Sequence, residues 1–201
     1  MDRTDFPNSI TFLKSLIRPT SGGDTVYADT ISAYEALPED IKQRVQGKTA
    51  HYSYLKFRNE IPGVSTDEER AYLSRGSDHP IITQHPVTGK KNIFANPGHT
   101  ASVNGVSAEE SKELLDLLFA HVNQPQFIYS HPWEEFDGVL WDNRAVQHKA
   151  SPAPDSPRRL VRTTITGLVL PQEVVDVSAV VQRPLCIPGL VATNGGATVE
   201  L

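Results

Sequence analysis

Trp141-Asp142-Asn143-Arg144-Ala145-Val146-Gln147-His148 is the densest run of chemically capable side chains in the sequence, with an aromatic, an acid, an amide and a base ahead of a histidine. Ten residues further on, Arg158 and Arg162 lie four apart in Arg158-Arg159-Leu160-Val161-Arg162-Thr163-Thr164-Ile165. On a strand that spacing points both side chains to one face. Four residues of extended chain cover roughly 13 Å, so the two guanidiniums serve different groups rather than gripping one small carboxylate. Inward-facing arginines need anionic partners, because an unpaired buried charge is costly. Two partners fit: a bound carboxylate, whose geometry matches the planar guanidinium fork, or protein acids such as Asp142 and Asp24 in a structural network. His148 alone is more often a structural residue. Beside an arginine-bound organic acid, its neutral imidazole suits a non-haem iron site with open positions. A hydrolase using Asp142 and His148 is a weaker fit, since no serine or cysteine is placed as its nucleophile.

These residues must be positioned by a chain of 201 residues, the length of one medium domain. The net charge is -5, from 19 Lys+Arg against 24 Asp+Glu, which argues against a nucleic-acid surface. Cys186 is the one cysteine, so neither an intrachain disulfide nor a thiolate metal cluster can form, and the chain reads as cytoplasmic. The polar start from Met1 to Pro7 does not read as a secretory signal, and no run reaches the ~18 apolar residues of a membrane span.

Fifteen Pro and thirteen Gly cut the sequence into short pieces, which favours a β-rich fold with a few helices. Strands are predicted at Ile10 to Ile17, Val26 to Ala28, Thr49 to Phe57, Asn92 to Asn96, Phe127 to Ser130, Gly138 to Trp141, Arg144 to Gln147 and Leu160 to Thr166. Ser32 to Leu37 and Pro38 to Val45 read as a helical pair stopped at Gly47. Arg58 to His79 reads as a variable surface excursion that helps to cover the site, and Pro86 to Lys90 as a turn. The clearest helix starts at Ser107, where Glu110 completes a capping-box pattern, and carries Leu114, Leu115, Leu118 and Phe119 as an apolar stripe to about His121. Strands with inserted helices match a double-sheet β fold better than alternating βαβ units.

Gly22-Gly23-Asp24-Thr25, then Tyr34-Glu35-Ala36-Leu37, His85-Pro86-Val87-Thr88-Gly89-Lys90, Trp141-Asp142-Asn143-Arg144 with Gln147-His148, and Arg158 to Thr164 occur in an order that resembles the taurine/2,4-dichlorophenoxyacetate dioxygenase family. Its members are iron(II)- and 2-oxoglutarate-dependent oxygenases. The resemblance spans about Pro7 to Gly167. It implies a β-rich α+β fold, a double-stranded β-helix (jelly roll) with flanking helices, over residues 1–167 and incomplete at its N-terminus; the C-terminal extension at 168–201 departs from the family. It implies Fe(II) as cofactor, 2-oxoglutarate as cosubstrate, O2, and a small organic substrate that leaves oxidised while succinate and carbon dioxide are released. His148 matches the distal histidine ligand of the iron, Thr25 the hydroxyl that helps to hold 2-oxoglutarate, and Arg158 the arginine that clamps its far carboxylate. Arg162 matches a second arginine that faces anionic substrates, with Trp141 and Asn143 as pocket support and Asp142 and Arg144 as structural residues. No residue beyond the metal ligands is assigned a catalytic role.

The family's other two iron ligands sit in a His-x-Asp motif, and none of the seven histidines here has an aspartate two residues later. Aligning Pro7 and Gly22 puts that motif at or just before Met1, with Asp2 as its aspartate. Three readings follow: a chain begun at an internal methionine and lacking its first strands, a catalytically inactive member that retains carboxylate binding or serves as an interaction module, or an enzyme that borrows a ligand. Neither His51 nor His99 is singled out as a substitute by its neighbours. The extension from Leu168 contains the apolar-rich run Glu173 to Val181. It reads as an extra edge strand, a subunit contact of a homo-oligomer, or a misjoined coding segment.

Overall fold

The computed structural model describes residues 8–53, 75–152 and 157–166. Asp2 and the extension at 168–201 lie outside the described residues. So does most of the surface excursion.

Eleven strands and three helices alternate irregularly along these residues. β1 (Asn8–Ile17), β2 (Thr25–Asp29), β3 (Thr49–Tyr52), β4 (Ser77–Pro80), β5 (Ile82–Gln84) and β6 (Lys91–Ile93) come first. β7 (Thr100–Val103), β8 (Ile128–His131), β9 (Gly138–Asp142), β10 (Val146–Ala150) and β11 (Arg159–Thr166) complete the set. The helices are α1 (Thr30–Glu35), α2 (Glu39–Val45) and α3 (Ala108–Val122). Three three-stranded sheets run in the orders β11-β1-β9, β10-β2-β8 and β4-β3-β7, and β5 pairs with β6. Every pairing is antiparallel and most join strands far apart in sequence. The result is an open jelly roll with helices packed outside. No helix among the described residues is long and apolar enough to cross a membrane.

Local chemistry explains the helix ends. Asp29 closes β2 and caps α1 at once, its Oδ1 accepting from the backbone N–H of Ile31 and Ser32 at 3.0 Å each. That cap starts the helix two residues before the predicted Ser32. Ser107 accepts from Glu110 N at 3.1 Å, as the capping pattern requires.

Some strand predictions need correction. Thr49 begins β3 but the strand ends at Tyr52, and Lys91–Ile93 replaces Asn92 to Asn96. The end of the excursion is no surface loop: Ser77–Pro80 pairs along β3, and the His79 ring is buried against Tyr52 and Phe94 at 5.4 and 5.8 Å. Arg144 sits in the turn between β9 and β10, its backbone N–H and guanidinium both folded back onto Asp142.

The hydrophobic core lies mainly between the helices and the short strands, with Ala28 of β2 at its edge. It gathers Ala33, Ile41 and Val45 of α1 and α2 with Leu37 between them, Ala50, Ile82, Ile93 and Val103 of the short strands with Ile81 between β4 and β5, and Leu114, Leu115, Leu118 and Val122 of α3. Leu114 and Leu118 are fully buried, so Leu118→Ala should cost about 2–5 kcal/mol. Urea denaturation checks this, and a loss below ~1 kcal/mol would contradict the packing.

The inward face of β1 is of another kind. Ser9, Thr11 and Ser15 are buried there, Thr25 of β2 is 2% exposed, and Phe12, Leu140, Val161 and Ile165 are left exposed. Of these hydroxyl residues, Thr11 and Thr25 line a cavity instead of facing a second apolar sheet.

Candidate functional site

That cavity has a volume of about 940 Å³ and opens between β1 and β11 on one side and β2 and β10 on the other. Thr11, Thr25, Tyr27, His148, Arg158 and Arg162 all line it. The turn that leads into β2 is built by Gly22 and Gly23, with φ of +63° and +73°, a conformation that side chains disfavour in series. Gly23 N then donates to Pro152 O at 2.9 Å, which fastens the start of β2 beside the end of β10. In that register Thr25 faces Ala150 and Tyr27 faces His148.

Thr25 is the centre of a group of donors. Its Oγ1 accepts from Trp133 Nε1 at 3.0 Å and from Arg158 Nη2 at 3.1 Å, leaving its own hydrogen to donate elsewhere. Arg158 Nε and Tyr27 Oη are buried beside it with no hydrogen-bond partner. Burial holds the Arg158 guanidinium below its usual range, with Tyr27 and Asp24 working in the opposite direction. No ion pair joins Arg158 or Arg162 to an acid among the described residues. Asp142 is taken by Arg144 and His85, and Asp24 accepts from Ser130 Oγ at 2.8 Å. The structural network of the two arginines with Asp142 and Asp24 is therefore not formed. A cation and hydroxyl donors converging without an acceptor fit a carboxylate from outside the chain.

His148 lies next to this group. The residue is exposed and lines the cavity. Its ring packs on Trp141 with centroids 4.6 Å apart, and the Tyr27 ring is 6.3 Å away. Desolvation among these rings, with Arg162 and His99 adding positive charge, pushes its pKa down to about 4. The imidazole is neutral at pH 7, which is the form that ligates metal. Trp141 Nε1 donates to Asn143 Oδ1 at 2.9 Å, and Asn143 Nδ2 donates to Thr11 Oγ1 at 2.8 Å, so the ring over His148 is fixed from β1. Arg162 lines the cavity two strand steps beyond Leu160, on the same face as Arg158 and apart from the Thr25 group.

Asp142 does not address His148. Adjacent strand residues face opposite ways, so the inward Trp141 turns Asp142 outward, where it binds Arg144 Nε at 2.8 Å and His85 Nε2 at 3.0 Å. His85 Nδ1 accepts from Val87 N and Thr88 N at 3.2 Å each, so the ring proton sits on Nε2 and is donated to Asp142. This removes the basis of a hydrolase and explains why the histidine turn and the Trp-Asp-Asn-Arg run occur together. Burial alone would raise the Asp142 pKa; hydrogen bonds from Arg144 and His85 overcome that and hold it at about 2. A carboxylate depressed in the folded state stabilises above its unfolded pKa and loses that contribution as pH falls from about 4 to about 2. Asp142→Asn should accordingly lower Tm at pH 7 and flatten the fall of Tm across that window. An unchanged acid limb in thermal melts would contradict the assignment.

Among the described residues, no three His, Cys, Asp or Glu side chains converge as a metal group. Of the two residues expected as metal ligands, His148 lines the cavity and Asp2 lies outside the described residues. Of two further cavity residues, the sequence reading set one aside as a ligand and missed the other. His99 lines the wall close enough to His148 to act on its charge, and Tyr27 was seen only as part of a short strand. Alternation along β2 from Thr25 would have put Tyr27 on the same face.

The family model described as "Taurine catabolism dioxygenase TauD, TfdA family" matches residues 1–164. The chain belongs to this family. Among TauD/TfdA relatives, the alpha-ketoglutarate-dependent 2,4-dichlorophenoxyacetate dioxygenase of Burkholderia sp. (strain RASC) is 34% identical over 154 residues, covering 77% of this chain and 52% of its own length. The alpha-ketoglutarate-dependent sulfate ester dioxygenase of Pseudomonas putida is 31% identical over 166 residues, covering 78% and 54%. The chain thus spans about half the length of these relatives. The crystal structure of AAD-2 in complex with Mn(II) and N-oxalylglycine superposes with a TM-score of 0.78 at 27% identity, over 85% of this chain and 68% of that one. The jelly-roll architecture is that of the TauD/TfdA structures.

Proposed function

We propose that the protein is an iron(II)- and 2-oxoglutarate-dependent dioxygenase that hydroxylates a small anionic organic molecule. The observation that carries this reading is the unsatisfied donor group at Thr25 and Arg158, set beside the neutral imidazole of His148. In it, Arg158 and Thr25 bind the far carboxylate of 2-oxoglutarate and aim its keto acid end toward His148. His148 supplies one iron ligand and Asp2 the carboxylate ligand. When bound, iron and the keto acid supply the oxidative decarboxylation: O2 and 2-oxoglutarate become succinate, carbon dioxide and one oxygen atom inserted into a substrate C–H bond. The chain's own work is orientation. Trp141 and Asn143 hold the His148 ring, which needs no deprotonation near neutral pH to present its lone pair. Arg162, with no ion-pair partner among the described residues, receives the substrate's anionic group at a distance from the keto acid. Relatives named for a chlorophenoxyacetate and for sulfate esters support an anionic substrate.

Succinate release tests the proposal in air with Fe(II), 2-oxoglutarate and a panel of aryloxyacetates, alkylsulfonates and sulfate esters. Succinate that depends on one of these compounds is expected. Arg162→Ala should raise the KM for that compound about tenfold or more, because a charge-assisted contact is lost, while the KM for 2-oxoglutarate stays unchanged. Binding of 2-oxoglutarate with no succinate from any compound would make the protein a carboxylate-binding member without turnover.

A further inference from the structure

The Tyr27 hydroxyl lies in the wall of the cavity, close to Thr25 and Arg158. It is buried with no hydrogen-bond partner within bonding distance among the described residues, whereas the ring it belongs to is well placed, edge-on to Trp141 at 5.2 Å and stacked with Tyr129 at 6.4 Å. A phenylalanine would make the same ring contacts and avoid burying an unsatisfied polar group. The neighbouring acceptors are already used. Thr25 Oγ1 receives Trp133 and Arg158, and the Asp24 carboxylate receives Ser130. Among the described residues, Arg158 Nε is a second orphaned donor beside it.

We propose that Tyr27 Oη is a third donor to the far carboxylate of the keto acid, completing with Thr25 and Arg158 a three-donor cradle that selects a dicarboxylate over a monocarboxylate. This rests on the keto acid reading of the cavity and adds to it a specificity residue. The geometry suits the role. Tyr27 and Thr25 project from the same face of β2, and Arg158 enters from the start of β11. A carboxylate has about four acceptor positions, enough for the arginine edge and both hydroxyls at once. Burial pushes the phenol pKa up to about 12, with Thr25 and Arg158 pulling it back, so Tyr27 carries its proton at every pH at which the protein works.

The test uses Tyr27→Phe and the full chain, with calorimetric titration of 2-oxoglutarate and of glutarate, which has the carboxylate but lacks the keto group. Wild-type protein should bind both, and the variant should bind each about tenfold or more weakly, the loss expected for a hydrogen bond to a charged group. The Tm of the unliganded variant should equal or exceed that of wild type, because only an unsatisfied hydroxyl has been removed. A lower unliganded Tm with unchanged affinity would assign the hydroxyl a structural role and overturn the proposal, as would equal affinity with equal Tm. Failure of the wild-type protein to bind either acid would instead overturn the keto acid reading, and the cradle with it.

Discussion

Arg158→Ala lowers the affinity for 2-oxoglutarate by about two orders of magnitude, the expected result of deleting one partner of a partly buried charge pair. Arg158 reaches the cavity from the start of β11, donates from Nη2 to Thr25 at 3.1 Å, and leaves its Nε buried and unpaired. It makes no ion pair with an acid among the described residues. Its removal should therefore leave Tm unchanged or raise it, since a desolvated cation disappears without orphaning a carboxylate. The combination is diagnostic: a structural arginine lost from a salt bridge would lower Tm and leave binding alone. Arg158→Lys should restore little of the affinity, because a single ammonium cannot supply two parallel donors. Calorimetry with 2-oxoglutarate and a thermal melt on the same samples decide the point, and full affinity in Arg158→Ala would refute the assignment.

The second large effect falls on the metal. His148→Ala should weaken Mn(II) binding by more than about a hundredfold, since losing even an outer partner of a ligand costs about 10–100-fold in affinity. Metal-free binding of 2-oxoglutarate through Thr25 and Arg158 should survive in the same variant, which separates a lost ligand from a collapsed pocket. The EPR signal of free Mn(II) measures the first quantity and calorimetry the second. Unchanged Mn(II) affinity would show that His148 is not a ligand. The ring sits 4.6 Å from Trp141, which Asn143 holds. Asn143→Ala should then loosen Mn(II) binding by a smaller factor, about tenfold, through misplacement of that ring.

Much of the site is legible from residue types whose local demand is strong. Gly22-Gly23 announces a backbone that needs positive φ, Ser107 with Glu110 announces a helix start, and the spacing of Arg158 and Arg162 puts them on one face. What is not legible depends on distant partners. β5 and β7 are three and four residues long, too short to show a period, and β7 exists because Thr100–Val103 finds β3 across some fifty residues of chain. His79 reads as surface because its stretch is polar, yet Tyr52 and Phe94 enclose it. Arg144 reads as strand because Val146 and Gln147 follow, yet the acid two residues earlier captures it. On β1 the apolar Phe12 faces out and the hydroxyls face in, the reverse of the usual alternation, because the interior is a cavity rather than a core. No sequence pattern reveals that a tyrosine hydroxyl is buried without a partner; that requires the positions of Thr25, Trp133 and Arg158 together.

The central claim is that the cavity holds iron and 2-oxoglutarate together, against His148 and Arg158. Anaerobic titration of the protein with Fe(II) in the presence of 2-oxoglutarate, followed by visible absorption, tests it most directly. A weak, saturable charge-transfer band that requires both additions and vanishes in His148→Ala is the predicted result. Absence of the band at saturating Fe(II) and 2-oxoglutarate would contradict the account.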